Sequence, residues 1–415
     1  MRKERGYAGA NQLSLRRGNR SVVFRAVWTL KRISRIELAA KTGLHPGTIT
    51  HIVDELIKEG LLKESGIAET SIGRPALQLE INPELAYVVG VNLTRDSVSA
   101  ALIDLSGQVS QEVSFGGLQV RSDNKYLINR LLQSIEIILE DASLAGRNVI
   151  GIGVGAPDRD CVTPLHKRLA SVSGPNGPHE EETLGEIIIN RFELPVVIDQ
   201  NANTLALDLQ YFGDLGSISN FVFIRCGFGV GGSIVINHEI YQGNQGSVEF
   251  GHLTVDTRGE TCRCGNTGCL ELYCSLPAIT GRVAANLGVP APSLTVEQIA
   301  AAYNDGHAAV VETIRDVAKY LGCAAVNIVN SLAPEAVYLG GPLGPLAPIL
   351  AQLVQEYIET RIYPTLRGRV QVIGVGQPVG QVRGAAMLII RNIINTGTLG
   401  FGASPAAGSD TSKAG

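Results

Sequence analysis

Aromatic residues make up only 5% of the 415 residues, with one Trp and two Met, so any large interior must be built from aliphatic and small side chains. Long apolar runs are missing too. The longest candidate, residues 221–236, is broken by Arg225 and several glycines and offers no span of the ~18 residues that a membrane helix needs. The basic start, MRKERGYAGANQLSLRRG, lacks the apolar stretch of a secretory signal, so a cytoplasmic protein with no membrane partner is expected. Charged residues are sparse at 18%, yet 45% hydrophobic residues and 48 glycines exclude global disorder and describe a turn-rich globular chain. Its length exceeds the usual ~100 to 200 residues per domain, which excludes a single small module. An even cysteine complement is absent as well. Of seven cysteines, Cys262, Cys264, Cys269 and Cys274 crowd together while Cys161, Cys226 and Cys323 are scattered. In a reducing compartment such a cluster points to metal rather than disulfides.

The net charge of -4 hides a division: residues 1–75 carry +7 and the remainder -11. A basic head on an acidic body suggests that only the head meets a polyanion. Val23, Val27 and Leu30 mark one face of a first helix over residues 20–31. A second helix opens at Ser34, where Ser34-Arg35-Ile36-Glu37 fits a capping box. After the turn Thr42-Gly43-Leu44, Pro46 suits the first turn of a third helix running to Glu59. Ile49, Ile52, Val53 and Leu56 form its inner stripe, leaving Thr48, Thr50 and His51 outward. Strands at residues 61–64 and 76–79 complete a hairpin tipped by Ser71-Ile72-Gly73-Arg74-Pro75. This is the order of a winged helix-turn-helix, in which Arg35, Thr48, Thr50 and His51 would face a major groove of operator DNA and Arg74 a minor groove.

Beyond Pro83 the pattern changes to strands separated by glycine turns: 88–93, 98–104 and 109–113, with a comparable meander at 221–241. Two α/β lobes, each opening on such a meander, would enclose a ligand cleft between them. His252, Cys262, Cys264 and Cys269 form an H-x9-C-x-C-x4-C array in which Gly265 and Gly268 permit tight folding. Three thiolates and an imidazole suit zinc in a closed tetrahedron with no open position for hydrolytic water.

At this array the chain resembles the ROK family of repressors, open reading frames and sugar kinases. The resemblance rests on Glu249-Phe250-Gly251-His252 and on Cys262-Arg263-Cys264-Gly265-Asn266-Thr267-Gly268-Cys269-Leu270-Glu271, with further matches at residues 151–157, 227–232, 243–246 and 339–341. It implies an α/β fold with a two-lobed actin-like ATPase (ROK) domain behind the winged helix-turn-helix, and a homodimer or homotetramer. It also implies that Glu249, His252 and Glu271 hydrogen-bond a sugar effector. The boundaries expected are 1–80 for the head, 81–200 for the first lobe, 201–395 for the second lobe with the zinc site, and 396–415 for a disordered tail. Two departures separate this chain from the kinases. Their N-D-A-N motif is here Gln200-Asn201-Ala202-Asn203, and an amide can orient a sugar hydroxyl but cannot deprotonate it. Their first phosphate loop, D-x-G-G-T, is here Asn92-Leu93-Thr94-Arg95. The expected function is therefore a non-enzymatic, sugar-responsive regulator, a repressor of carbohydrate uptake or catabolism genes. A sugar kinase with an added DNA-binding module and a regulator controlled by a partner protein remain the alternatives.

Overall fold

A computed structural model describes residues 12–67, 77–117, 124–157, 183–243, 248–291, 294–376 and 380–399. The expected hairpin tip with Arg74, residues 244–246 of the glycine-rich match, Cys161 and the tail from residue 400 lie outside them. The head comprises α1 (Gln12–Leu30), β1 (Ile33–Ser34), α2 (Arg35–Thr42), α3 (Pro46–Lys58), β2 (Leu62–Ile67) and β3 (Leu77–Ile81), with its strands ordered β1-β3-β2. The capping box forms: the Ser34 hydroxyl accepts from the Glu37 amide at 3.3 Å and the Glu37 carboxylate accepts from the Ser34 amide at 2.8 Å. At the start of α3 the His45 ring accepts from the Gly47 amide at 3.1 Å, and Pro46 needs no hydrogen bond in the first turn. The expected stripe of Ile49, Ile52, Val53 and Leu56 is buried.

Two five-stranded sheets follow, built alike. The first holds β4 (Tyr87–Leu93), β5 (Val98–Asp104), β6 (Val109–Phe115), then α4 (Asn124–Leu144), β7 (Val149–Ala156), α5 (Leu184–Phe192) and β8 (Val196–Gln200). Helix α6 (Asn201–Phe212) leads to the second, with β9 (Phe221–Cys226), β10 (Val230–Ile236), β11 (Glu239–Ile240), α7 (Glu271–Cys274), α8 (Leu276–Leu287), α9 (Val296–Asn304), α10 (Ala308–Leu332), β12 (Ala336–Gly340), α11 (Leu346–Glu359) and β13 (Gln371–Gly374), and α12 (Gln381–Thr396) ends the fold. The strand orders are β6-β5-β4-β7-β8 and β11-β10-β9-β12-β13. Each lobe is thus an antiparallel meander followed by two parallel strands, so the repeat glimpsed in the two meanders extends through both lobes.

Helix α12 crosses from the second lobe and lies on the first sheet, inside the span 201–395 expected for the second lobe. The strands admit it because they carry glycine where it passes. A Cβ on Gly90 would stand 1.9 Å from the Val382 carbonyl oxygen, and one on Gly153 would stand 1.9 Å from that of Ala385. Residues 396–399, expected in the tail, are folded: the carbonyl of Gly397 accepts from Arg20 Nε at 2.9 Å.

That bond belongs to a contact between head and body which the sequence did not suggest. Helix α1 lies along α12, with Arg25 donating to Asn395 Oδ1 at 2.7 Å. Trp28 donates through Nε1 to the Leu105 carbonyl at 3.0 Å and meets Tyr211 and Phe212 edge-on. One apolar core runs from Val23, Phe24 and Leu38 of the head through Leu105 to Met387 and Ile390 of α12.

Candidate functional site

Between the lobes lies a cavity of about 320 Å³, lined from the first lobe by residues 94–97, from the α6 N-terminus by Gln200 and Asn201, and from the second lobe by Glu249, His252 and Glu271. All four residues expected to meet a sugar therefore face one cleft. Asn201 is the first residue of α6 and only 3% exposed; its Nδ2 donates to the Leu93 carbonyl at 2.9 Å. Its Oδ1 is enclosed with no hydrogen-bond partner among the described residues, an acceptor awaiting a donor. Glu249 accepts from Gln200 Nε2 at 3.4 Å. Glu271 accepts from the Val230 amide at 3.2 Å, and Gly229 makes room for it, since a Cβ there would stand 2.3 Å from Oε2.

The turn that replaces the first phosphate loop is closed on itself. The Thr94 amide donates to the Ser97 carbonyl at 2.8 Å, and the Thr94 hydroxyl donates to the Asp96 carboxylate at 2.8 Å. Its polar groups are satisfied by one another.

The ligand atoms of His252, Cys262, Cys264 and Cys269 all lie within 4.8 Å of one another. Cys264 and Cys269 place their sulfurs 3.6 Å apart, and His252 Nδ1 lies 3.8 Å from the Cys262 sulfur. Zinc–sulfur bonds of about 2.3 Å set ligand atoms roughly 3.5 to 3.8 Å apart in a tetrahedron, so the donor set fits that ion in both chemistry and spacing. Gly268, at φ +67°, brings the chain within reach of Asp256, whose carbonyl oxygen a Cβ would meet at 1.6 Å. Asn266 braces the loop by donating to Thr254 Oγ1 at 2.9 Å. Burial and the neighbouring thiols push Cys269 up to about 12, while the Asn266 backbone amide lowers Cys264. Cys274, set aside from the ligands on sequence, is buried and donates to the Val317 carbonyl at 3.7 Å.

With Nδ1 turned to the thiols, His252 keeps Nε2 for the cleft that it lines. The loop reaches the cleft a second way through Arg263, between two of the cysteines, whose Nη2 lies 3.2 Å from Glu271 Oε1. Arg263 and Gln200 are site residues that the motifs did not single out. Their only signal was adjacency to the cysteines and to Asn201.

On the head, Thr50 and His51 are exposed and Thr48 partly so. Thr50 Oγ1 donates back to the Pro46 carbonyl at 3.0 Å, and His51 Nε2 lies 3.3 Å from Glu55. Arg35 is held between Asp54 and Glu64, 3.1 Å from each. Arg74 is outside the described residues.

The sequence model of the ROK family matches residues 88–392, and one described as winged helix-turn-helix DNA-binding matches residues 31–63. The chain is 28% identical over 365 residues to the xylose repressor of Caldicellulosiruptor bescii, covering 85% of this chain and 90% of that protein. It is 28% identical over 384 residues to the DNA-binding transcriptional dual regulator NagC of Escherichia coli, covering 91% and 93%. Among solved structures it is similar to a ROK family transcriptional regulator described as a homolog of the Escherichia coli MLC protein, with a TM-score of 0.74 and 28% identity over 93% of this chain and 98% of that one. A ROK family glucokinase from Streptomyces griseus shares the fold at 23% identity, with a TM-score of 0.58 over 73% of this chain and 99% of that one.

Proposed function

The chain belongs to the ROK family, and from that premise we propose that it is a cytoplasmic, sugar-responsive transcriptional repressor of carbohydrate uptake or catabolism genes. It holds operator DNA through the winged helix-turn-helix and releases it when a sugar fills the cleft. The observation that carries this reading is a cleft with an amide, Asn201, in place of a base, joined by one apolar core to a DNA-binding head. Asn201 Oδ1, Glu249 and Glu271 accept from sugar hydroxyls, and His252 donates through Nε2. Among the described residues no helix is long and apolar enough to cross a membrane.

His252, Cys262, Cys264 and Cys269 would hold a zinc ion, which would fix the imidazole tautomer and the loop carrying Arg263. On the head, Thr48, Thr50 and His51 read base edges from α3, Arg35 turns from its acidic partners to the DNA, and Arg74 serves the wing. A homodimer or homotetramer presents paired heads to operator half-sites about one helical turn, ~34 to 36 Å, or a multiple apart.

The protein is not a kinase in this reading, because Asn201 cannot take a proton and the turn at residues 94–97 is filled by its own side chains. The surviving glycine turn at residues 227–232 favours the rival reading, a kinase with an added DNA module. Fluorescence anisotropy with a duplex selected from a random library by the protein itself, titrated with a sugar panel at fixed salt, tests the proposal. Sugar-dependent release is expected, and ATP-dependent phosphorylation of the same sugar at ordinary enzyme rates, ~1 to 10³ s⁻¹, would overturn the non-enzyme reading.

A further inference from the structure

Arg225, at the end of β9, lines the same cavity and has no role in the reading above. It is partly buried, and neither a hydrogen bond nor an ion pair holds its guanidinium among the described residues; its Nε is wholly enclosed without an acceptor. Two glycines make space for it. A Cβ on Gly227 would stand 2.6 Å from Nη1, and one on Gly341 would stand 2.9 Å from Cγ, so the stem passes under Gly341 and the guanidinium lies against Gly227. The Glu271 carboxylate packs over Gly229 of the same turn. Cation and carboxylate thus flank one short turn at the cleft wall.

The other charges of the cleft leave Arg225 uncompensated. Arg263 is committed to Glu271, and the Asp96 carboxylate accepts from Thr94. Arg95, exposed on the facing turn, adds a second cation to the cavity lining. Burial lowers the Arg225 pKa from its ordinary value, with Cys226 and Asp96 opposing. An arginine withdrawn from water without a counter-charge is costly to the folded protein, and a bound anion removes that cost.

We propose that Arg225, with Arg95, forms an anion subsite in the cleft, and that the effector is a sugar bearing a phosphoryl or carboxylate group rather than a neutral sugar. This rests on the sugar reading of Asn201, Glu249, His252 and Glu271. The planar guanidinium fork suits two oxygens of either anion, and Arg95 closes over it from the opposite lobe.

The test uses the full chain, with thermal shift and calorimetry on sets matched in sugar and differing in charge: glucose, glucose 6-phosphate and glucuronate; N-acetylglucosamine and its 6-phosphate; xylose and xylonate. Inorganic phosphate is run alone. One anionic member is expected to bind at least roughly 10- to 100-fold more tightly than its neutral parent, the range of a hydrogen-bonded charge contact. Whether a phosphate or an acid wins identifies the source of the anion. Arg225→Met should abolish that preference, leave affinity for the neutral parent unchanged, and remove the stabilisation by inorganic phosphate. It should be at least as stable as wild type without ligand, whereas an arginine serving structure alone would leave it less stable. Arg225→Lys, which keeps the charge, should retain part of the preference and serves if the Met variant folds poorly. Neutral sugars binding as tightly as their anionic counterparts, or a preference that survives in Arg225→Met, overturns the subsite. If phosphate stabilises through Arg225 but no sugar of either kind binds, the sugar reading falls while the anion site stands.

Discussion

Asn201 has its donor engaged by the Leu93 carbonyl at 2.9 Å and its acceptor enclosed without a partner. Asn201→Asp would set a carboxylate oxygen against that carbonyl, so the variant should lose about 1 to 3 kcal/mol of stability. It should also gain no kinase turnover, because the turn at residues 94–97 stays closed; calorimetric melting and a coupled phosphorylation assay check both halves. At the metal centre, protein purified without chelators should contain one zinc per chain by elemental analysis. Cys264→Ser should lower that content and abolish the sugar response while the head still binds DNA. Burial holds the metal-free Cys269 thiol near 12, so it is protonated at neutral pH and metal uptake must expel its proton. Zinc affinity should therefore fall as pH falls, which a competition titration with a chelator at several pH values reads directly.

Among the elements, α12 and α6 decide how the body holds together. Helix α12 approaches β4 and β7 so closely that Gly153→Ala, with its Cβ 1.9 Å from the Ala385 carbonyl oxygen, should cost about 1 to 3 kcal/mol or more, read from a denaturant melt. Helix α6 starts at Asn201 in the cleft and ends at Tyr211 and Phe212 against Trp28 of the head. A ligand that moves the α6 N-terminus therefore acts on α1 through packed side chains, a route additional to the chain link through Pro83. Trp28→Ala should destabilise the chain by about 3 to 5 kcal/mol, the range for a buried aromatic. In the fraction that remains folded, anisotropy should show operator binding with a weakened response to sugar.

At the scale of the whole molecule, sugar acts on DNA only through a difference in affinity between two arrangements of lobes and heads. A coupling of ~1 to 3 kcal/mol corresponds to 5- to 150-fold in operator affinity. Glu271→Ala, which also frees Arg263 from its partner, should bind operator normally yet fail to release it at sugar concentrations that empty the wild type. An operator titration with and without sugar decides this. Release at the wild-type concentration would place the effector elsewhere, and tighter operator binding with sugar would make the protein an activator or a co-repressed regulator.

The sequence by itself determined what is local along the chain. The Ser34–Glu37 box, the α3 stripe, the strand meanders and the cysteine array could all be read because each joins residues within one helix, hairpin or loop, where spacing fixes geometry. The substitution of Asn201 for an acid was legible for the same reason: it changes one functional group at one place. Only the tertiary structure decided what joins distant segments. Helix α12 was not seen because it is apolar on nearly every side and carries Gly384; it is buried between strands and other helices, so no polar face marks its period. Trp28 gave no sign of bonding to Leu105, and Arg225 read as an interruption in an apolar run until Gly227 and Gly341 proved to be making room for it. Such contacts depend on which backbones approach each other, and that follows from packing both sheets at once rather than from any one stretch of the chain.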